Sequence, residues 1–222
     1  MIRVKNLTIK STNASNQEEI IKNLSFVAKK GSLTAFCGTN SSGKTTILRS
    51  LGGLENHYEG SIEIDKQEIK DIKPEDVTNL VGVVFQNFNL FPHLTGIDNC
   101  IQPLILSQKM NLEEAKEIVF KIFADLKIEE LARMNYSELS EIQKQKICIA
   151  RALNSNPKVL ILDEPFSSLT QDEIKELILW LKNLSKKVIT LVISHHSTEI
   201  ITEHFNHIHQ INNGEIIEST NK

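Results

Sequence analysis

The sequence has few cysteines, no long apolar run and little net charge, and each of these absences excludes a class of protein. Its three cysteines are scattered along 222 residues, which argues against a disulfide framework and against a metal knuckle. No apolar run approaches the roughly 18 residues that cross a bilayer, so we expect no direct membrane insertion. A net charge of −3 gives no sign of binding to nucleic acid or anionic lipid. We expect a soluble globular chain without an export signal.

Residues 38–46 have the spacing G-x-x-x-x-G-K-[ST] of a loop that cradles phosphate groups. The apolar segment 32–37 before it is predicted to be a buried strand, and Thr45–Leu51 after it a helix. Loop amides and the helix N-terminus would then point at a bound anion. Lys44 is predicted to neutralise the β- and γ-phosphates of a nucleotide, and the Thr45 hydroxyl to bind Mg²⁺. The predicted phosphate-binding residues are Gly38, Thr39, Asn40, Ser41, Ser42, Gly43, Lys44, Thr45 and Thr46.

A pair of acids ends a second apolar run far along the chain. Val159–Leu162 is predicted to be a buried strand, and Asp163 and Glu164 follow it directly. Asp163 offers Mg²⁺ a hard carboxylate ligand, and Glu164 can polarise an attacking water molecule. Together with the phosphate-binding loop, these acids predict a nucleotide hydrolase fold. Nucleotide chemistry and reduced thiols both favour the cytoplasm.

Other motifs occur in a fixed order around these two sites. They are Val81–Thr95 with Gln86 inside it, Leu139–Gln143 leading into Ile149–Leu153, Ser167–Thr170, and Leu191–His196. In this order and spacing the chain, from Ile2 to about Glu218, resembles the ATP-binding cassette (ABC) ATPases. The stretch Phe88–Thr95 is most similar to the ATPase subunits of polar amino acid importers.

The resemblance implies a role for each matching residue. Gln86 would contact Mg²⁺ or the attacking water and sense a membrane partner. Glu164 would be the catalytic base, and His195 would lie near the γ-phosphate. Ser140 would contact the γ-phosphate held by the opposite subunit of a head-to-tail dimer. The implied cofactors are ATP and Mg²⁺, with Thr45, Gln86 and Asp163 as the metal ligands.

The resemblance also implies partners and a function. The chain would bind and hydrolyse ATP to power a membrane transporter, most simply an amino acid importer. Its partners would be transmembrane permease subunits and a second ATPase subunit, identical or not, on the inner face of the cell membrane. Two alternatives stay open: the ATPase of a lipoprotein-release or cell-division complex, and a regulatory nucleotide-binding subunit that hydrolyses little.

Strands that alternate with helices favour an α/β fold with a parallel sheet. The resemblance adds an N-terminal antiparallel β subdomain and an inserted helical subdomain to this P-loop nucleotide hydrolase core. We expect one domain over residues 1–222, with its core at about 1–94 and 155–222 and its helical subdomain at about 95–154. The predicted strands are 2–9, 24–29, 32–37, 61–64, 81–85, 159–162 and 188–193. A polar loop at 11–19, a helix at 172–184 and a final hairpin at 208–217 complete the prediction.

Three features depart from the family pattern. Glu141 and Ile142 replace two glycines after Ser140, which puts side chains where a backbone should approach a phosphate. Ser140 and Gln143 can still form a capping box for the following helix, and Glu141 suits the positive end of its dipole. Thr170 stands where the family usually has Asp. The region 9–13, where the family places an aromatic ring on adenine, has none.

Two smaller clusters have competing interpretations. Phe88, Phe91 and Leu94 could dock a membrane subunit or pack in the core, and the sequence does not favour either. His207 and His209 share a strand face near His204, but no thiol or carboxylate cluster joins them, so a metal site is disfavoured.

Overall fold

The computed structural model describes residues 1–11, 18–195 and 199–222, and these contain ten strands and seven α-helices. The strands are β1 (Ile2–Lys10), β2 (Glu19–Ala28), β3 (Leu33–Cys37), β4 (Glu59–Ile64), β5 (Gln67–Glu68), β6 (Val81–Val84), β7 (Val159–Asp163), β8 (Ile189–Ser194), β9 (His207–Asn212) and β10 (Glu215–Asn221). The helices are α1 (Lys44–Leu51), α2 (Pro74–Leu80), α3 (Gly96–Gln108), α4 (Leu112–Leu126), α5 (Glu141–Ala152), α6 (Gln171–Ser185) and α7 (Glu199–His204). Among the described residues, no helix combines the length and apolarity needed to cross a membrane.

The strands form two sheets. The first is antiparallel in the order β2-β1-β4-β5, and the second has the order β10-β9-β3-β8-β7-β6. In the second sheet β3, β6, β7, β8 and β9 run parallel, and only β10 pairs antiparallel within the described chain. Cys37 pairs with Ser194 and Asp163 with Ile193, so β3, β7 and β8 end at the same edge of the sheet. The predicted α/β fold, with its parallel sheet and N-terminal antiparallel sheet, is confirmed.

Buried apolar residues cover both faces of the parallel sheet. Every residue of β3 and β8 is buried, as expected for central parallel strands with cover on each side. One core joins this sheet to the antiparallel sheet, where Phe26 of β2 meets Phe36 of β3 edge-on with ring centroids 4.8 Å apart. The other core joins the opposite face to the helices between β6 and β7. The phosphate-binding loop therefore leaves a strand that is fixed from both sides.

The helices α3, α4 and α5 all lie between β6 and β7 in the chain, and α3 packs on the other two. Helix α3 begins after Thr95, whose hydroxyl accepts a hydrogen bond from the Asp98 amide at 3.3 Å. It continues through Pro103 to a C-cap at Lys109 in the left-handed conformation. The division into a core and a helical subdomain at residues 95–154 stays a prediction.

Several element boundaries differ from the sequence prediction. Strand β2 begins at Glu19 rather than at 24, because its pairing with β1 continues to the Lys10–Glu19 pair. Residues 12–17 of the predicted polar loop lie outside the described residues. The short elements β5, α2 and α7 were not predicted, since two to seven residues carry little periodic signal. The C-terminal hairpin is confirmed, but β10 extends four residues further, to Asn221.

Candidate functional site

The loop between β3 and α1 needs glycine at two positions. A Cβ on Gly38 would lie 2.3 Å from the Ile211 carbonyl oxygen, so any side chain there would collide with the backbone of β9. Gly43 has φ 102°, which favours glycine, and a Cβ there would lie 2.6 Å from Ile21 Cδ1. The loop therefore has a backbone path that excludes side chains on its closely packed face.

Lys44 is the first residue of α1, and its ammonium group is turned into the loop. Its Nζ donates to the carbonyl oxygens of Gly38 at 2.6 Å and Thr39 at 2.7 Å. Ser42 Oγ lies 3.4 Å from the same nitrogen. Burial lowers the pKa of Lys44, whereas Glu164 and Asp163 act in the opposite direction. The ammonium group is thus held beside the loop, ready to bind anionic oxygen.

The N-terminus of α1 has neither a side-chain cap nor an acidic residue in its first turn. The first amides of a helix have no partner inside the helix, and the helix dipole makes this end positive. An uncapped start that follows a glycine-rich loop is a typical anion site. Thr45 and Thr46 lie in this first turn and add hydroxyl groups to it.

Two acids and a histidine meet at the ends of β7 and β8. Glu164 is 7% exposed, and its Oε2 accepts a hydrogen bond from the His195 amide at 3.0 Å. The His195 Nδ1 contacts Glu164 Oε1. Burial, and then the charge of Glu164, raise the pKa of Asp163. Glu164 has φ 47°, a conformation that costs about 1–3 kcal/mol for a non-glycine residue and is common at functional sites.

A cavity of about 390 Å³ joins these elements. Gln86, just after β6, reaches the same cavity as the loop and the acids. The residues that line it are Ile20, Asn40, Ser41, Gly43, Lys44, Thr45, Thr46, Gln86, Asp163, Glu164 and His195. Of the other predicted residues, Gly38 and Thr39 hold the Lys44 ammonium, and Ser42 is buried in the loop behind it. Ten of the eleven described residues that line the cavity are among those that the sequence predicts for the site.

Ser140 is not among the residues that line this cavity. It caps α5 in the predicted capping box: its Oγ accepts from the Gln143 amide at 3.4 Å, and its own amide donates to Gln143 Oε1 at 2.9 Å. Ile142 is 7% exposed and belongs to the core of the helices. Glu141 forms an ion pair with Lys144 at 2.8 Å. The two residues that replace glycine are therefore turned to the core and to a lysine of the same helix.

Thr170, the second departure, caps α6. Its hydroxyl accepts from the Glu173 amide at 3.4 Å, and Glu173 Oε2 accepts from the Thr170 amide at 2.9 Å. Asp and Thr are both favoured at this position of a helix. The exchange from the usual Asp thus preserves the start of α6.

Ile20 was not predicted, although it lines the cavity. It lies on β2, and it reaches the loop because β2 runs alongside the turn between β9 and β10, where Lys22 N–H donates to the Gly214 carbonyl at 2.9 Å. That approach is a tertiary contact between distant segments. A single sequence carries no local signal for it.

A second cavity, of about 710 Å³, lies between the parallel sheet and the helices. Phe85 lines it, whereas the next residue, Gln86, lines the first cavity. Phe85 is 44% exposed and Phe91 is 41% exposed, whereas Phe88 packs partly against the core. The aromatic residues of this segment thus divide between the surface and the core. One peptide bond links the two cavities.

The histidines of the C-terminal hairpin bind neighbouring side chains. His207 Nδ1 lies 2.8 Å from Asn221 Oδ1, and His209 Nδ1 lies 2.8 Å from Ser219 Oγ. Within the described ranges, no group of three or more His, Cys, Asp or Glu side chains could hold a metal ion. The three cysteines are buried and reduced.

Comparison with known proteins identifies the family. The ABC transporter family matches residues 21–167. The general L-amino acid transport ATP-binding protein AapP of Rhizobium johnstonii is 33% identical, over 90% of this chain and 78% of AapP. The spermidine/putrescine import ATP-binding protein PotA of Thermotoga maritima is 37% identical, over 90% of this chain and 54% of PotA. A dimeric structure of the ATP-binding cassette MJ0796 bound to ADP and phosphate is 28% identical with a TM-score of 0.81, covering 100% of this chain and 98% of MJ0796. This chain belongs to the ABC transporter family, as a subunit that binds and hydrolyses ATP.

Proposed function

We propose that this chain powers an importer of amino acids, as a peripheral subunit on the cytoplasmic face of the cell membrane. The observation that carries the catalytic part is the single cavity that contains Lys44, Asp163, Glu164 and His195. The choice of solute is supported by AapP and by the similarity of Phe88–Thr95 to amino acid importers. PotA makes polyamines the competing solute class.

The loop and the start of α1 fit the triphosphate. Backbone amides and the Lys44 ammonium supply donors and positive charge to a polyanion. The Lys44 ammonium exchanges the carbonyl oxygens of Gly38 and Thr39 for phosphate oxygens when ATP binds. Thr45, Gln86 and Asp163 offer hydroxyl, amide and carboxylate oxygens, the hard ligands that Mg²⁺ prefers. Mg²⁺ bound there neutralises charge on the phosphates.

Glu164 is the group best placed to accept the proton of the attacking water. It is a buried carboxylate, and its Oε2 already accepts the His195 amide, which fixes its orientation. The His195 ring contacts the other carboxylate oxygen, so both oxygens of Glu164 face His195. Gln86 faces the same cavity with an exposed side chain and can orient the water. A positioned base typically contributes a factor of about 100 to 10,000 in rate.

The second cavity is the surface we assign to the permease. It is lined by apolar and polar residues from both the sheet side and the helix side, including Phe85, Pro103 and Leu104. A permease segment seated there would press on Phe85 and so shift Gln86, the adjacent residue in the nucleotide cavity. Docking of the permease and hydrolysis of ATP are then coupled through the adjacent residues Phe85 and Gln86. Such coupling of a ligand contact to a packing change is an ordinary form of switching.

We assign Ser140 and the start of α5 to the ATP held by a second subunit. Glu141 would bring negative charge toward that ATP, but its carboxylate is paired with Lys144 at 2.8 Å. The Lys144 ammonium also lies 4.6 Å from the centre of the Tyr136 ring, which holds it in place. The altered loop, residues 140–143, therefore has a surface that is close to neutral. We expect the dimer to hydrolyse ATP even though Glu141 and Ile142 replace glycine.

The test is solute-stimulated hydrolysis by the chain in its own transporter. The tagged protein is purified from membranes with its permease, reconstituted in vesicles, and assayed with MgATP and a panel of L-amino acids and polyamines. Stimulation by an amino acid is expected, and Glu164→Gln should lower turnover by about 100-fold or more while it still binds ATP.

Two outcomes would contradict parts of the proposed function. Stimulation by spermidine alone would reject the amino acid assignment and leave the ATPase role in place. Turnover equal to that of Glu164→Gln, with ATP bound normally, would support a regulatory subunit instead. A Glu176→Gln variant, which removes a surface carboxylate paired with Lys146, is a matched control and should retain wild-type turnover.

A further inference from the structure

A groove separate from both cavities lies between the C-terminal ends of α4 and α6. It consists of two adjoining hollows, of about 280 Å³ and about 120 Å³, which share Asp125, Leu126, Leu184 and Lys187. None of the described residues that line the groove lines the nucleotide cavity or the second cavity. A ligand in the groove would therefore occupy neither the nucleotide site nor the surface that we assign to the permease.

The floor of this groove is apolar, and the one tryptophan of the chain lines it. Leu126 is 8% exposed and Leu184 is 5% exposed, and both belong to the core of the helices. Trp180 lies on α6, and its Nε1 donates to the Leu126 carbonyl at 3.1 Å, which fixes the indole ring against the end of α4. Because its N–H is used in this bond, the rest of the half-buried indole is an apolar contact surface.

The rim of the groove carries positive charge. Lys127 and Lys187 line it, and Asp125 is the one acid among the described residues that do so. Asp125 is already paired with Lys187 at 3.2 Å. Lys127 is exposed at the first position after α4, so its ammonium group is available to an anionic ligand.

Further lysines extend this charge beyond the rim. The Gly31 amide donates to the Ser185 carbonyl at 2.8 Å, so the turn between β2 and β3 packs on the end of α6. That turn carries Lys29 and Lys30, and Lys186 follows Ser185 directly; all three are exposed. The negative ends of the two helix dipoles offset only part of this charge, since each amounts to about half an elementary charge. A positive surface therefore borders an apolar groove.

We propose that this groove docks a partner protein through an acidic segment that carries a large apolar side chain. The apolar side chain would enter the hollow beside Trp180 and Leu184, and flanking carboxylates would pair with Lys127 and with the lysines of the adjoining turn. Burial of the apolar group supplies affinity, whereas the opposite charges orient the segment and speed its association. A flat anionic membrane would meet the lysines but would leave the concave apolar floor empty.

Tryptophan fluorescence measures this binding directly, because Trp180 is the one tryptophan of the chain and lines the groove. The probe is the blocked hexapeptide EELFEE, which contains neither Trp nor Tyr. We expect a saturable change in fluorescence with a Kd below about 1 mM, unaffected by saturating MgATP. The peptides KKLFKK, with reversed charge, and EELAEE, without the ring, should each bind at least about tenfold more weakly.

Lys127→Glu reverses one charge at the rim and should raise the Kd for EELFEE about tenfold. Lys109→Glu is the matched control, because Lys109 also follows a helix in the left-handed conformation but does not line the groove. It should bind EELFEE as the wild type does. An equal loss of binding in both variants, or no binding by the wild type, would reject the proposal.

Two further outcomes would reassign the binding. Displacement of EELFEE by MgATP would place the peptide in the phosphate-binding loop and reject the groove as its site. A fluorescence response to phosphatidylglycerol vesicles but not to EELFEE, abolished in Lys127→Glu, would assign the lysines to a membrane surface and reject the docked segment. None of these measurements requires hydrolysis or transport, so their outcome is independent of the proposed function.

Discussion

Glu141 and Ile142 are neighbours in the altered loop, but their side chains have different structural roles. Both replace glycine, and the sequence predicts that both place side chains where a backbone should approach a phosphate. Ile142 is buried in the helical core, whereas Glu141 is partly exposed and paired with Lys144. A change at Ile142 therefore concerns packing, and a change at Glu141 concerns charge. A double reversion to glycine would mix the two effects.

We expect Ile142→Gly to lower the free energy of unfolding by about 3–5 kcal/mol, since it removes a buried side chain and adds glycine to a helix. Glu141→Gly should cost about 1 kcal/mol, from helix propensity and a half-exposed ion pair. Urea unfolding measures both values, and Ile142→Val, at about 1 kcal/mol, is the conservative control. Equal losses at the two positions would contradict the separation of their roles.

At this scale the sequence predicted which residues line one cavity better than it predicted where individual side chains point. The phosphate-binding loop, Asp163, Glu164, Gln86 and His195 were all predicted, and one cavity contains members of each group. Their spacing in sequence is a direct consequence of strand–loop–helix geometry. The burial of Ile142 and the approach of Ile20 depend on contacts between distant segments. No local pattern specifies those contacts.

The segment that follows β6 has no regular structure over most of its length, yet two helices hold it. Arg151 of α5 donates to the carbonyl oxygens of Phe88 at 2.8 Å and Asn89 at 2.7 Å. Asn99 of α3 is 1% exposed and pairs with the backbone of Phe91 in both directions, accepting its amide at 2.6 Å and donating to its carbonyl at 3.2 Å. The residues after Gln86 are thus clamped to the two helices by these hydrogen bonds.

Arg151→Met should loosen this clamp. It preserves much of the apolar stem and removes two charge-assisted hydrogen bonds, so the free energy of unfolding should fall by about 2 kcal/mol. Arg151→Lys should recover less than half of that loss, because an ammonium group cannot reproduce the planar fork. In Arg151→Met, the rate of amide hydrogen exchange, measured by mass spectrometry, should increase in residues 86–94 and stay unchanged in residues 33–51. Uniform acceleration over both segments would argue for general destabilisation.

The sequence predicts long and deeply buried elements more accurately than short ones. The central strands β3, β7 and β8 were found nearly to the residue, because long apolar runs identify buried parallel strands. The helices α3, α4 and α5 follow a clear period in the sequence. The short elements β5, α2 and α7 were missed, because their stability comes from packing on the sheets rather than from their own pattern.

At the scale of the molecule, one apolar core joins the two sheets. His209 of β9 lies in that contact: its ring stacks on Phe36 with centroids 5.2 Å apart, and Phe26 of the antiparallel sheet lies 6.0 Å away. Its Nδ1 is 2.8 Å from Ser219 Oγ, whereas its Nε2 is buried without a hydrogen-bond partner in the described structure. A proton added there would place an unpaired charge between the sheets.

Acid should therefore unfold the protein through His209. Burial, and then the charge of His207, lower the pKa of His209 from 6.5 to about 4. In the unfolded chain His209 takes up a proton as the pH falls below its ordinary pKa, whereas in the folded chain it does so only near pH 4. The free energy of unfolding is therefore highest above the ordinary pKa of His209, and it decreases as the pH falls from that value toward the lowered one. The expected loss is about 2 kcal/mol from about pH 7 to about pH 5. Urea unfolding at both pH values measures it.

His209→Gln is the comparison that isolates this residue, because it preserves a polar side chain that can bond Ser219 but does not titrate. Its stability at neutral pH should be lower than that of the wild type, since it loses the ring contacts with Phe26 and Phe36. Its fall between the two pH values should be smaller than the wild-type fall by about 2 kcal/mol. Equal falls would contradict the assignment of this acid sensitivity to His209. Among the carboxylates, Asp65 and Glu59 have pKa values lowered by their hydrogen bonds to the N-terminus and to Lys10. The stability that these ion pairs contribute is lost as the pH falls from the ordinary pKa of a carboxyl group toward the lowered value, so a fall between about pH 7 and about pH 5 distinguishes His209 from them.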